Sequence, residues 1–386
     1  MDLELLPALL IVLAVANVAG TRIPACAGLL HQLGNRQPQI DGLRGVCALA
    51  VSQHHFAYLA YWNIPLWELP AGNSVVATVG KAGVAEFFLI CALLFWSRLP
   101  ALKASGWAGW RGFAENRIRR IVPMYIFAMS AAIGVLGFAA RSGEPWAPWG
   151  ELASNGLKAY SFWFFPPNGF NYSLRAAAAF GVAWTLKYEW LFYASLPLLA
   201  CIKVERLWCL SLAFAIMVNE LWVGWYWIEY FLYGGIVLQL SSEPWLRRVA
   251  QSHIASFASL GLTGATVFFT GPEKLALGLP VLGLATGFLL IAAGNSWFGL
   301  LATPGARLVG AGSYSIYLLN FVVQVPLVRA LPADPSSWHW MLTVGAMSAC
   351  SAVVVAVALI TYRYVELTFQ RPHRKWALPV PQEQAR

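Results

Sequence analysis

Apolar residues recur in long blocks, set apart by short polar stretches, along the whole chain. Eleven such blocks, near 4–20, 45–62, 75–97, 121–140, 182–202, 207–223, 225–240, 254–270, 275–298, 309–330 and 339–362, can each hold a membrane-crossing helix. Several fall short of the ideal of about 20 residues, so their ends are soft. In hydrocarbon every backbone N–H and C=O must be satisfied within the segment, which makes helices the expected element. The block at 45–62 differs from the rest. Asp41-Gly42-Leu43-Arg44-Gly45 opens it, and His54 and His55 lie inside it. On a helix the eleven steps from Arg44 to His55 turn through roughly 1100°, within about 20° of three full turns. Both side chains then project from one face, about 16 Å apart along the axis. With Arg44 at an interface, His55 sits about halfway through the hydrocarbon, where an ionisable group must face a polar cavity or a substrate.

Composition strengthens the membrane reading: 59% of residues are hydrophobic and 11% charged, against about 45–50% and 25% in soluble domains. The net charge of +9 does not point to nucleic acid, because the basic residues lie in short loops beside apolar blocks. Alternate loops divide them unevenly. Arg22, Arg36, Arg44, Arg98, Lys103, the arginines at 111–120, Lys203, Arg206, Arg247, Arg248, Arg307 and the tail from Arg363 fall on one side. Lys81, Arg141, Lys158, Arg175, Lys187, Lys274 and Arg329 fall on the other. The richer side is expected to be cytoplasmic, leaving the N-terminus outside and the C-terminus inside; in a bacterial cell such helical spans belong to the inner membrane. Asp2 and Glu4 replace the basic start a secretory signal needs, so the first block is expected to stay as an anchor. Residues 1–37 are read as anchor and short linker, 38–372 as the membrane domain and 373–386 as a short basic tail. The outward stretch 141–181, with Trp146, Trp149, Trp163, Pro166, Pro167 and Asn168, suits a segment lying at the interface or over a cavity mouth. The six cysteines are scattered, which suggests neither a disulfide framework nor a metal site.

Candidate chemistry starts with His55, whose neutral imidazole can take a proton from an attacking hydroxyl; a buried histidine bonded to a backbone carbonyl is the alternative. His54, about 100° away on the helix, is read as a packing residue. Arg44 carries planar donors suited to phosphate or carboxylate, although an arginine at a cytoplasmic helix end is also ordinary topology. Arg111, Arg117, Arg119 and Arg120, ahead of the proline opening the next block, suit either a polyphosphate ligand or anionic lipid. Glu86, Glu189 and Glu366 lie in or just past apolar blocks and each needs a partner. Glu189 either pairs with an arginine across the bundle or joins His55 and Arg44 in catalysis.

These segments, in this order, resemble acyltransferase family 3, the integral-membrane O-acyltransferases. Asp41-Gly42-Leu43-Arg44-Gly45 with His55-Phe56 is similar to the family's first-helix signature. Gly83-Val84-x-x-Phe87-Phe88 resembles its second, and Phe113-x3-Arg117-x2-Arg120-Ile121-x-Pro123-x-Tyr125 its third. Trp184-Thr185-Leu186-x2-Glu189-x2-Phe192-Tyr193, Ser313-Tyr314-Ser315-Ile316-Tyr317-Leu318 and Tyr362-Arg363-x2-Glu366 complete the pattern. The family often has Ser-Gly where Cys91-Ala92 stand, His where Asn320 stands and Pro where Thr368 stands. Asn320 can hydrogen-bond but cannot titrate.

The resemblance implies a ten-helix core, to which the block at 4–20 adds one span. It implies acyl-CoA, most often acetyl-CoA, as a co-substrate with no bound cofactor, and a hydroxyl of a lipopolysaccharide, exopolysaccharide or other exported carbohydrate as acceptor. Arg44, Arg117, Arg120 and Tyr125 would bind the donor, His55 would act as base with Arg44 and Glu189, and Asp41, Glu86, Trp184, Tyr314 and Glu366 would support them. The chain would finish transfer alone or with a separate periplasmic protein. A glycan transporter or flippase is the competing class, since intramembrane His and Glu also suit translocation; no internal repeat speaks for it.

Overall fold

The computed structural model describes residues 4–34, 37–61, 75–139, 147–167, 180–201, 228–271, 275, 279–331 and 338–370. Every regular element among them is helical: an all-α bundle with several long apolar helices. In chain order these are α1 (Leu5–Arg22), α2 (Pro24–Leu33), α3 (Pro38–Tyr61), α4 (Val75–Trp96), α5 (Leu99–Ala104), α6 (Gly106–Ala139) and α7 (Trp149–Ala159). They continue with α8 (Trp184–Leu199), α9 (Ile228–Ser241), α10 (Pro244–Ala250), α11 (His253–Phe269), α12 (Leu279–Ala292), α13 (Pro304–Ala311), α14 (Ser313–Arg329), α15 (Trp340–Thr361) and α16 (Leu367–Gln370). A π-helical turn, Tyr362–Glu366, joins the last two.

Among the described residues α1, α4, most of α6 and the run from α15 to α16 are long and apolar enough to cross a membrane. Two bent pairs qualify if each is one span: α10 with α11, bent by 85°, and α13 with α14, bent by 73°. The expected span at 207–223, the start of 225–240 and the basic tail lie outside the described residues. The helix α3 falls short of that apolar standard because it carries Asp41, Arg44, Gln53, His54 and His55, and its polar face turns into the bundle instead of lipid.

Two expected boundaries move. The arginines at 111–120 lie not in a loop but inside α6, which runs on through Pro123. Phe113, Arg117, Ile121 and Met124 recur at helical spacing and all are buried, while Arg111 and Glu115 pair on the exposed side at 2.9 Å. The segment beginning at 309 also starts inside another helix. Thr303 caps α13 by accepting from the Ala306 N–H, Pro304 opens it, and it ends at Ala311 before the bend into α14.

The helix α3 packs backbone to backbone against α13 and against the short turn Leu300–Ala302 that precedes it. A Cβ at Gly42 would lie 1.8 Å from Leu301 O, and one at Gly310 would lie 1.8 Å from Asp41 O. Only hydrogen fits at either position. In lipid, small residues that let backbones touch replace the hydrophobic drive of water as the source of helix association. The glycines of Asp41-Gly42-Leu43-Arg44-Gly45 therefore serve helix contact first. Gly310→Ala should lower the stability of the detergent-solubilised protein by about 1–3 kcal/mol. Gly28→Ala, with no atom within 4 Å of the new methyl, should leave the thermal transition where it is; equal transitions for the two variants would contradict the packing argument.

Candidate active site

Five helices enclose one cavity of about 310 Å³. Arg44 reaches it from α3, Arg117 and Arg120 from α6, Glu189 and Tyr193 from α8, and Tyr314 and Tyr317 from α14, with a long apolar face of α4 opposite. Arg98, just past the end of α4, lines it as well. Four guanidinium groups thus share a space with one carboxylate. None of the four lies within 4 Å of a carboxylate oxygen among the described residues.

Arg98 and Arg117 are held by groups other than an opposite charge. The Arg117 side chain is buried; it donates from Nη2 to Asn116 Oδ1 at 2.6 Å, sits 5.0 Å from the Phe95 ring centre, and leaves its Nε without a partner. Arg98 approaches the same ring at 5.8 Å, so two cations attach to one aromatic. Partial desolvation, and then the neighbouring charges of Arg117 and Arg120, lower the pKa of Arg98 from the ordinary guanidinium value. Arg44 and Arg120 make no hydrogen bond among the described residues. Such a ring of donors suits an anion carrying several oxygens.

The carboxylate is committed elsewhere. Glu189 accepts from the Tyr193 hydroxyl, and the Cys91 thiol lies 3.8 Å from Glu189 Oε1 and 3.7 Å from Tyr193 Oη. Away from the arginines the lining turns aromatic. Thr185 donates to the Tyr317 hydroxyl at 3.0 Å, and Phe87 meets the Tyr317 ring edge-on.

His55 does not line this cavity. It turns towards α14, where its Nδ1 lies 2.6 Å from Asn320 Oδ1 and its ring lies against Phe321 with centroids 4.4 Å apart. His54 faces α4, donating from Nδ1 to Val76 O at 2.9 Å, and a Cβ at Gly80 would meet its ring at 2.3 Å.

Of the residues singled out in the sequence, Arg44, Arg117, Arg120, Glu189 and Tyr314 meet at the cavity. Tyr314 also donates to Ile121 O at 3.0 Å, tying α14 to α6. Asp41, Glu86, Trp184 and Glu366 lie outside the lining. Glu86 is buried with one carboxyl oxygen unpartnered, Trp184 packs edge-on against Phe88, and Glu366 accepts from Ser315 Oγ. The Asp41 backbone carbonyl is the one that Gly310 touches. Tyr125 is also outside. Its hydroxyl donates to Ala159 O at 2.5 Å and accepts from the Phe162 N–H at 3.1 Å, with the two rings stacked. That residue fastens α7, whose Trp149 and Leu157 stay exposed while Leu152 and Ala159 are buried, as an interfacial helix requires. Residues 168–179 of the same outward stretch lie outside the described residues.

Sequence reasoning named Arg98 only as a loop charge and foresaw neither the His55–Asn320 bond nor the Thr185–Tyr317 bond. Arg98 reads as an ordinary flanking charge, and the last two become visible only when helices far apart in sequence pack together.

A family model described as an acyltransferase domain matches residues 37–363. No curated protein and no solved structure matches the chain.

Tyr125→Phe should cost about 1–3 kcal/mol of stability, because Ala159 O and the Phe162 N–H each lose a buried partner. Thermal denaturation in detergent measures it. An unchanged transition would mean that the hydroxyl fastens nothing.

Proposed function

Because this chain belongs to acyltransferase family 3, we propose that it moves an acetyl group from acetyl-CoA onto a hydroxyl of an exported or cell-surface carbohydrate, with His55 as general base. The coarser statement, a membrane acyltransferase, follows from the family itself. The observation that carries the finer reading is the ring of four arginines, one with an unpartnered buried Nε, built partly on the helix that bears His55. A donor with several phosphates and a long thin arm matches it: the phosphates sit among Arg44, Arg98, Arg117 and Arg120, and the thioester extends along α3.

The reach required is about 16 Å, eleven residues at 1.5 Å each. Phe87, Thr185 and Tyr317 stand in the lining as aromatic and hydroxyl neighbours for the apolar part of the arm. Chemistry then needs no acyl-enzyme. His55 Nε2 accepts the proton of the acceptor hydroxyl, the oxygen attacks the thioester carbonyl carbon, and the carbon–sulfur bond breaks. The CoA thiolate leaves and takes up the proton from the imidazolium. Glu189, hydrogen-bonded to Tyr193, offsets part of the arginine charge and keeps the site from holding anionic product too tightly. With the arginine-rich flanks of the helices on the cytoplasmic side of the inner membrane, donor enters from the cytoplasm and acceptor from outside.

Purified protein given acetyl-CoA and candidate glycans should release free thiol and yield a glycan heavier by one acetyl group. His55→Ala should abolish the release at normal protein abundance. Arg98→Ala should raise KM for acetyl-CoA about 10- to 100-fold, the loss of a charge-assisted hydrogen bond of about 1.5–3 kcal/mol. Arg111→Ala, on the exposed face of α6, should change neither constant. Full activity in His55→Ala would refute the base, and an unmoved KM in Arg98→Ala would refute the donor site.

A further inference from the structure

We propose that Asn320 is a positioning residue that holds the proton of His55 on Nδ1 and so leaves Nε2 free as the base; the proposal rests on His55 being that base. Its ground is the direction of the amide. Asn320 Nδ2 lies 3.2 Å from Ile316 O and 2.6 Å from Tyr317 O. Both are acceptors only, so the NH2 end must face them and Oδ1 must face the ring. A carbonyl oxygen accepts and never donates. The 2.6 Å contact to His55 Nδ1 therefore places the hydrogen on Nδ1. A neutral imidazole has one N–H, so the lone pair is on Nε2.

Nothing in the surroundings lets the pair swap roles. Asn320 is fully buried, on a helix whose start is set by the α3–α13 contact. Phe321, the next residue on α14, packs on the imidazole face. The nearest titratable group is His54, with ring centroids 5.2 Å away; its own Nδ1 is occupied by Val76 O. Lys81 of α4 acts on His54. No carboxylate among the described residues acts on His55.

Asparagine also explains how a chain that departs from the family at this position keeps a working base. Histidine, the residue often found here, accepts from Nδ1 only while it is neutral. The asparagine carbonyl accepts at every pH and brings no charge to the middle of the membrane, where a charge is expensive. Catalytic histidines in other sites are oriented by a hydrogen bond to the far nitrogen, and loss of that bond costs rate through the wrong tautomer and geometry.

The test uses the full chain in detergent, acetyl-CoA as donor, p-nitrophenyl hexosides as acceptors and thiol release as readout. Asn320→Leu should lower kcat about 10- to 100-fold with KM for acetyl-CoA unchanged. Asn320→His should restore most of the rate. Asn320→Asp should restore it with the rising limb of kcat moved upward by about one pH unit or more. The sign follows from charge: a carboxylate beside the ring stabilises imidazolium and raises its pKa, so the free base appears only at higher pH. Wild-type kcat in Asn320→Leu, or a wild-type pH limb in Asn320→Asp, overturns the positioning role. His55→Ala, run alongside, separates the two readings. If it is inactive while Asn320→Leu is normal, only the positioning role fails; if it is active, the base and this proposal fail together.

Discussion

The contact on which the site depends is backbone against backbone, between α3 and the short α13. Hydrogen is the largest substituent that Gly42 and Gly310 can carry, and this close approach sets where the chain stands when it bends by 73° into α14. Beyond the bend, α14 serves the site at two depths. Ser313, Tyr314 and Tyr317 wall the cavity that Arg44 enters, and Asn320 meets His55 farther along. A change of a few tenths of an ångström at the glycines would propagate to both, since packed helices shift as rigid bodies. The short Asp41-Gly42-Leu43-Arg44-Gly45 stretch thus holds a structural and a chemical requirement together.

Electrostatics supplies the second constraint. Four guanidinium groups around one cavity repel one another, and a buried cation without a partner is costly. The chain reduces that cost with an aromatic ring under Arg98 and Arg117 and an amide beside Arg117, but it puts no carboxylate within ion-pair distance of them among the described residues. Glu189 is turned to Tyr193 instead. A site arranged for its own stability would pair its charges. Leaving them open costs stability in the empty protein, a cost that the proposed polyanionic donor would offset.

Much of this was legible from residue spacing. The 100° step put Arg44 and His55 on one helix face; Arg44 lines the cavity, while His55 meets Asn320 outside its lining. Charged residues in apolar sequence pointed to Arg117, Arg120 and Glu189, which three-dimensional packing brings to the cavity with Arg44. The hidden part was long-range or masked by ordinary topology. Arg98 sits where membrane helices commonly end in a basic residue. The stretch 111–120 of α6 looked like a loop because polar residues outnumber apolar ones there, although the recurrence of Phe113, Arg117 and Ile121 was a usable helical signal. Tyr125 sits on the arginine-rich segment, yet its hydroxyl is spent 34 residues away on Ala159. The His55–Asn320 bond spans 265 residues, and no local pattern encodes it.

The proposed anion site and the proposed base stand apart along α3. A cavity of about 310 Å³ lies at the small end for ligand sites, too small for a nucleotide and an acyl arm together. With acetyl-CoA as the proposed donor, the phosphates therefore stay near the mouth, where Arg98 remains exposed, and only the slender arm goes inward. His55, outside the lining of this cavity, meets the neutral Asn320 amide and is bordered by Phe321. Arg98 at the mouth is exposed, whereas Arg117 is buried. The division proposed for α3 is therefore a donor held near its start and a proton taken up about three turns away.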